Sequence, residues 1–253
     1  MQPQLPPTRR NALKGIALGT AAIMMSDRSP TAAAPPAGRL KRIDPGGAGI
    51  DPGGILGFVE EVERRAMGLH SFMLLRHGMV AAEAWWTPYS PKLPHMLYSL
   101  SKSFTSTAVG LAVGDGLLTV NDPVISFFQG DLPSEVGENM RAMRVRDLLT
   151  MATGHEKDAT GPMRAAQDGN WVRRFLSLPV EHAPGSRFVY NSAATYMLAA
   201  IVQKLTGGRM LDFLEARLLG PLGIRGATWE QCPRGVDVGG WGLSIATEDI
   251  ARF

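Results

Sequence analysis

The chain has 253 residues, of which 45% are hydrophobic and 19% are charged, and this ordinary globular composition excludes intrinsic disorder, collagen and a coiled coil. The single cysteine, Cys232, excludes an intrachain disulfide, and the length is sufficient to bury a core without one. The net charge of +3 lies within residues 1–34, so the remainder is neutral and offers no electrostatic surface for nucleic acid or an anionic membrane.

Residues 1–34 have the pattern of an export signal. Arg9 and Arg10 precede an apolar run over 15–25, and small residues follow at 31–34. As a helix this run would be about 16 Å long, too short for a hydrocarbon core of about 30 Å, which argues against a permanent membrane span. The arginine pair is similar to a twin-arginine signal and predicts a periplasmic or secreted protein. A disordered basic tail is the alternative.

The next residues predict a linker, a helix and a hairpin. Residues 35–54 contain prolines and paired glycines and are predicted to be a linker. Residues 55–67 have apolar side chains at helical spacing, which predicts an amphipathic helix. Strand-like runs at 71–75 and 79–86 flank His77-Gly78, a pair that suits a hairpin turn. Further helices are predicted at 101–113, around 146–151, and at 171–178, 193–205 and 210–218.

A single hairpin is marginally stable in water, so more strands or a packed helix should complete its sheet. No clear strand-rich segment follows the helical region. The sequence stops in the first turn of another predicted helix, with Thr247 as its N-cap. We therefore expect residues 55–253 to be the N-terminal portion of a larger domain, whose hairpin edge is exposed and favours association.

Ser99 and Lys102 form a Ser-x-x-Lys pair at the start of the predicted helix over 101–113. At this spacing both side chains share one helix face about 5–6 Å apart, so the lysine could accept the serine proton. The helix N-terminus favours negative charge that develops at the serine or at a bound carbonyl oxygen. The alternative is that Ser99 is an N-cap and Lys102 a solvated first-turn residue.

Several blocks in order resemble the serine β-lactamase-related family, which includes class C β-lactamases, DD-peptidases and related esterases. The stretch from Ser99 to Lys102, with the following helix and loop to Val124, resembles the family's nucleophile region. Residues 143–151 resemble the next block, and 184–207 resemble the block with the second catalytic element. The resemblance covers about 55–253 and implies an α+β, β-lactamase/transpeptidase-like fold. In that fold a helical subdomain is inserted in an antiparallel sheet, whose C-terminal strands are missing here.

The resemblance implies that Ser99 is the nucleophile, Lys102 its activating partner and Tyr190 the second base. A phenolate near an ammonium can take the serine proton and pass it to a leaving group. A half-buried loop tyrosine is the alternative for Tyr190. The family motif is commonly Tyr-x-Asn, whereas here Ser192 occupies the usual Asn position and Asn191 lies one place early. Ser192 is therefore a candidate for substrate binding, and efficient β-lactam turnover is less expected than ester or peptide cleavage.

The family's third motif, a Lys-Thr-Gly-like strand, is absent. Lys204-Leu205-Thr206-Gly207 is superficially similar, but it ends a predicted helix, with Gly207 at the C-cap. His155, with Glu156 and Asp158, could suggest a metal, but no second histidine lies at ligand spacing, so a solvated loop is expected instead.

These observations predict an exported serine hydrolase that acts through a Ser99 acyl-enzyme on an ester, amide or β-lactam-like substrate. It would need no metal or organic cofactor, and its partner would be a small-molecule or peptide-like acyl substrate. The alternative is a non-catalytic binding protein or an inactive remnant of the same fold. The sequence leaves the oligomeric state open.

Overall fold

The computed structural model describes residues 38–253, so the predicted export signal at 1–34 lies outside the described residues. The structure differs from the linker prediction within 35–54. Val80 N–H donates to the Lys41 carbonyl at 2.8 Å, and Ile43 N–H donates to the Val80 carbonyl at 3.0 Å. The prolines keep this segment from forming a helix. Its backbone groups instead pair with the edge of a strand, in a parallel bridge between Arg42 and Val80.

Helix α1 spans Pro52–Arg64 and so begins three residues before the predicted start at 55. Proline is tolerated at the first helical position, where its missing N–H would have no partner in any case. Asp51 caps the helix by accepting a hydrogen bond from Gly53 N–H at 2.9 Å. The predicted linker therefore ends inside this first helix.

The predicted hairpin is confirmed as strands β1, Ser71–Arg76, and β2, Met79–Trp85, which pair antiparallel. His77 and Gly78 have φ values of 51° and 73°, the left-handed conformation that a tight two-residue hairpin turn requires. Phe72 of β1 packs against Phe58 of α1, with ring centroids 4.7 Å apart. The helix thus covers part of the hairpin's apolar surface.

A second sheet was not predicted. Its strands are β3, His95–Met96, β4, Thr228–Trp229, and β5, Leu243–Ile245, with β5 in the centre and both neighbours antiparallel to it. The sequence shows no clear strand-rich segment after the helical region, and the two strands found there are short and belong to a sheet separate from the hairpin. Strands of two or three residues contain too few alternations to produce a recognisable pattern.

Five of the helices that follow the hairpin lie at predicted positions, and the two short helices over 138–142 and 160–164 were not predicted. The connections include long segments, such as residues 115–137, and the last of these helices is followed by a π-helical turn, Glu215–Leu219. Together the helices are α2, Ser101–Gly114; α3, Glu138–Ala142; α4, Val145–Leu149; α5, Thr160–Arg164; α6, Trp171–Leu176; α7, Ser192–Thr206; and α8, Met210–Leu214. Gly207 ends α7 with φ of 72°, as the C-cap prediction requires.

Helix α9, Thr247–Arg252, confirms the helix predicted at the end of the sequence, but its cap differs. The N-cap residue is Ala246, and Thr247 does not cap. Instead the Thr247 hydroxyl is bonded to Trp85 Nε1 and to His95 Nε2, each at 3.1 Å. Thr247 is buried, and through these two hydrogen bonds it links Trp85 of the hairpin to His95 of the second sheet.

The core is centred on α7, whose residues from Ala193 to Val202 are all buried, and α2 packs against it. Burying a helix on every side requires an almost wholly apolar sequence, which α7 has. Across residues 38–253, none of the helices combines the length and the apolar character that crossing a bilayer would need.

Candidate active site

The turn Tyr98–Leu100 joins β3 to α2 and contains Ser99. The C-terminal part of the chain fixes it: Leu97 N–H donates to the Leu243 carbonyl at 2.8 Å, and Leu243 N–H donates to Ser101 Oγ at 3.2 Å. The first residue of the turn has φ of 45°, a left-handed conformation that costs a non-glycine residue about 1–3 kcal/mol and is concentrated at functional sites. The surrounding contacts thus hold Ser99 in one orientation beside α2.

Two side chains meet at Ser99 Oγ. The Tyr190 hydroxyl donates to it at 2.8 Å, and Lys102 Nζ donates to it at 3.1 Å. Lys102 Nζ also lies 5.1 Å from the centroid of the Tyr190 ring. The structure therefore brings together three of the residues that the sequence identified, and their catalytic roles remain predictions.

The environment of Tyr190 favours its ionised form. The hydrogen bond with Ser99, followed by the hydrogen bond and positive charge of Lys102, lowers the pKa of Tyr190 below its ordinary value of 10, against the opposing effect of partial burial. A hydrogen bond with Ser192 acts in the same direction. Ser192 thus lies beside Tyr190, and its predicted role in substrate binding stays a prediction. A tyrosine with a lowered pKa is suited to act as a general base.

Gly239 and Gly240 contribute to the site, and the sequence analysis did not identify them. Lys102 Nζ donates to the Gly240 carbonyl at 2.6 Å. A Cβ at Gly240 would lie 2.8 Å from the Ser192 carbonyl oxygen, and one at Gly239 would lie 2.6 Å from that of Thr195. Only glycine permits so close a backbone approach. In the sequence, the closely spaced glycines at 239, 240 and 242 were the signal that could have identified this segment.

Asn191, which the sequence places one position early in the motif, does not face Ser99. It is fully buried and caps α7 by accepting a hydrogen bond from Ala193 N–H at 3.1 Å. Ser192, one residue later, is consequently the residue that lies beside Tyr190. Asn191 therefore has a structural role, as the N-cap of α7.

The loop predicted to be solvated near His155 is partly buried, so that prediction is wrong for His155, which is 3% exposed. The neighbouring Glu156 carboxylate pairs with His182 and Arg187 instead. Within residues 38–253 no group of three or more His, Cys, Asp and Glu could hold a metal ion.

Ser99 and Tyr190 are both exposed at the surface. A cavity of about 550 Å³ elsewhere in the described part of the chain is lined by Phe128, Trp171 and Tyr196 among others, and it includes none of the three converging residues. Access of a substrate to Ser99 therefore does not require passage through that cavity.

A protein-family profile described as Beta-lactamase matches residues 58–252. The 6-aminohexanoate-dimer hydrolase of Paenarthrobacter ureafaciens is 28% identical over 196 residues, which are 72% of this chain and 50% of that protein. The chain thus spans half the length of this relative.

Solved structures have the same fold. A class C beta-lactamase mutant superposes with a TM-score of 0.62 at 18% identity, covering 80% of this chain and 64% of that one. A beta-lactamase/D-alanine carboxypeptidase from Pseudomonas syringae gives a TM-score of 0.61 at 17% identity, covering 77% and 63%. These similarities establish a β-lactamase/transpeptidase-like fold.

Proposed function

We propose that this chain, which belongs to the Beta-lactamase family, hydrolyses an ester or amide bond through an acyl-enzyme on Ser99. The observation that carries the proposal is the convergence on Ser99 Oγ of Tyr190 Oη at 2.8 Å and Lys102 Nζ at 3.1 Å. A hydroxyl bonded to a potential base and a cation is the arrangement that nucleophilic catalysis requires.

In the proposed reaction the Tyr190 phenolate takes the proton of Ser99 while Oγ attacks the acyl carbonyl carbon. The Lys102 ammonium stabilises the phenolate before the attack and the developing negative charge during it. Tyr190 then gives the proton to the leaving alcohol or amine, and the acyl group remains on Oγ. A water molecule, deprotonated by Tyr190, then attacks the carbonyl carbon of the acyl-enzyme. Tyr190 returns this proton to Ser99 Oγ as the acid leaves, which restores the serine and the phenolate.

The substrate class follows from Ser192. A serine at the position commonly held by asparagine can donate one hydrogen bond, but its side chain is shorter and lacks the amide carbonyl. This favours simple esters and linear amides over β-lactams. The name of the Paenarthrobacter relative refers to an amide dimer, which supports the same class.

The test is hydrolysis of p-nitrophenyl acetate and of nitrocefin by the purified protein. We expect ester turnover that exceeds nitrocefin turnover and that is abolished in Ser99→Ala. Ser106→Ala is the matched control, because Ser106 is exposed on α2, which follows the turn with Ser99, and belongs to no part of the site. Equal rates for wild type and Ser99→Ala would reject the proposal, and wild-type turnover no faster than in buffer would favour a non-catalytic binding protein.

We also propose that the protein is exported through a twin-arginine route. The support is the sequence of residues 1–34, with its arginine pair and short apolar run. Replacing Arg9 and Arg10 by Lys should retain the protein in the cytoplasm of the native cell, measured by fractionation and immunoblotting. An unchanged periplasmic yield would contradict the proposal.

A further inference from the structure

His155 is a buried titratable residue that the proposed reaction does not use. Its side chain is 3% exposed and packs against the Phe175 ring, with centroids 5.2 Å apart. Its Nε2 is buried and has no hydrogen-bond partner, and no other buried side-chain nitrogen or oxygen in the described part of the chain lacks one. Burying an unpaired polar group is unfavourable, so a phenylalanine would be expected here if packing alone mattered.

The other ring nitrogen of His155 begins a chain of hydrogen bonds that ends beside Tyr190. His155 Nδ1 and Thr153 Oγ1 are 2.8 Å apart, and Asn191 Nδ2 donates to Thr153 Oγ1 at 3.3 Å. Asn191 Oδ1 accepts from two backbone N–H groups, of Ala193 and Ala159, at 3.1 and 3.3 Å. These two donors fix the amide orientation, so Nδ2 faces the Thr153 hydroxyl.

This orientation assigns the protons. Thr153 Oγ1 accepts from Asn191 Nδ2, and among the described contacts the acceptor for its own proton is His155 Nδ1, so we assign the histidine proton to Nε2. Burial lowers the pKa of His155, which keeps the ring neutral, although the charges of Glu181 and Asp158 oppose this. His155 is thus an acceptor that orients the Thr153 hydroxyl.

The loop over 151–155 also holds the backbone on both sides of Tyr190. Val189 N–H donates to the Met151 carbonyl at 3.0 Å, and Asn191 N–H lies 3.5 Å from Met151 Sδ. Gly154 lies so close to the following loop that a Cβ there would be 2.2 Å from the His182 carbonyl oxygen. These contacts therefore tie the loop to the Tyr190 segment, while the Tyr190 ring itself is half exposed.

We propose that Thr153 and His155 are positioning residues that keep the Tyr190 hydroxyl on Ser99 Oγ. The Thr153 hydroxyl, oriented by His155 Nδ1, holds Asn191, and Asn191 fixes the backbone that carries Tyr190. Neither residue touches the reacting atoms. This inference rests on the proposed function, because it assigns these residues to the same reaction.

The test uses Thr153→Val, which removes the hydroxyl at nearly constant volume, and Thr153→Ser, which keeps it. For p-nitrophenyl acetate, Thr153→Val should lower kcat at least tenfold with KM within twofold, whereas Thr153→Ser should retain most of the wild-type kcat. His155→Phe should lower kcat in the same direction, because the hydroxyl loses its acceptor. Thr107→Val is the control, since the Thr107 hydroxyl bonds to the Ser103 carbonyl on α2 and should leave kcat unchanged.

A second readout does not depend on turnover. Ultraviolet difference titration against Tyr190→Phe isolates the Tyr190 phenol, and its pKa should rise in Thr153→Val as contact with Ser99 and Lys102 loosens. An unchanged kcat and an unchanged Tyr190 pKa in folded Thr153→Val would overturn the inference, as would an equal loss in Thr153→Ser. If wild type hydrolyses no faster than Ser99→Ala, the proposed function fails, and the titration alone then decides the positioning claim.

Discussion

Tyr190 is the residue whose protonation state controls the proposed reaction. Its pKa is lowered mainly through the hydrogen bond with Ser99, and also through Lys102 and Ser192. Lys102 is itself held in place by the Gly240 carbonyl at 2.6 Å. The phenolate is therefore populated at a lower pH than for a free tyrosine, which places a base at Ser99 nearer to neutral pH.

A pH profile tests this role of Tyr190. Because the base must be deprotonated, kcat/KM for p-nitrophenyl acetate should rise with pH through the pKa of Tyr190, with a midpoint below the ordinary value of 10. Ser192→Ala removes a hydrogen bond that lowers this pKa, so the midpoint should move to higher pH. Tyr190→Phe should lower kcat/KM by about 10²–10⁴ and abolish this limb of the profile. Persistence of the limb in Tyr190→Phe would assign it to another group.

At the scale of single residues, the sequence predicted the side chains of the site better than its backbone contacts. The three-residue spacing of Ser99 and Lys102 predicted their proximity, and the family resemblance supplied their roles. Tyr190 is 91 residues from Ser99, so only the family resemblance connected them. The Gly240 carbonyl could not be predicted, because every residue type has the same carbonyl group. The burial of His155 was missed because its neighbours are charged.

Among the elements, the contact of α2 and α7 with the segment at Gly239 and Gly240 determines the geometry of the site. The Thr105 hydroxyl of α2 donates to the Gly239 carbonyl at 2.9 Å, one turn after Lys102. On the other side this segment lies against the carbonyl oxygens of Ser192 and Thr195. The two glycines thus join the helix that carries Lys102 to the helix that follows Tyr190.

Gly239→Ala should disrupt this junction. Its Cβ would lie 2.6 Å from the Thr195 carbonyl oxygen and 2.8 Å from Ala199 Cβ, so we expect a loss of about 1–3 kcal/mol in the free energy of unfolding. Gly110→Ala is the matched control on α2, where nothing lies within 4 Å of an added Cβ. A glycine-to-alanine change in a helix interior should stabilise by about 0.5–1 kcal/mol. Urea unfolding measures both values, and a Gly239→Ala protein as stable as wild type would contradict the close packing.

The long elements were predictable for a physical reason. Helices such as α2 and α7 repeat their apolar pattern over several turns, and the hairpin has a turn pair that tolerates positive φ. The sheet of β3, β4 and β5 was missed because its strands are too short to show a period. Thr247 was misassigned because a threonine near a helix start suits both a cap and a buried tertiary hydrogen bond.

On the scale of the described chain, the site needs segments that are far apart in sequence. Ser99 and Lys102 come from the first half, Tyr190 from the loop before α7, and Gly240 from the segment before β5. The first and last described segments are also tied together, because the Arg42 guanidinium donates to the Glu248 carboxylate at 2.7 Å. The arrangement of side chains at Ser99 is therefore a property of the assembled fold, and the proposed activation of Ser99 should be lost on unfolding.

The most direct measurement of the central claim is covalent labelling of the folded protein by a fluorophosphonate, read by intact mass and then by peptide mapping. An activated serine should take up one adduct, located on Ser99, and labelling should be slowed in Lys102→Met and Tyr190→Phe. Ser99→Ala should remain unlabelled, whereas the Ser106→Ala control should react as wild type does. Wild-type protein that stays unlabelled, or Ser99→Ala that is labelled equally, would contradict the assignment of Ser99 as the nucleophile.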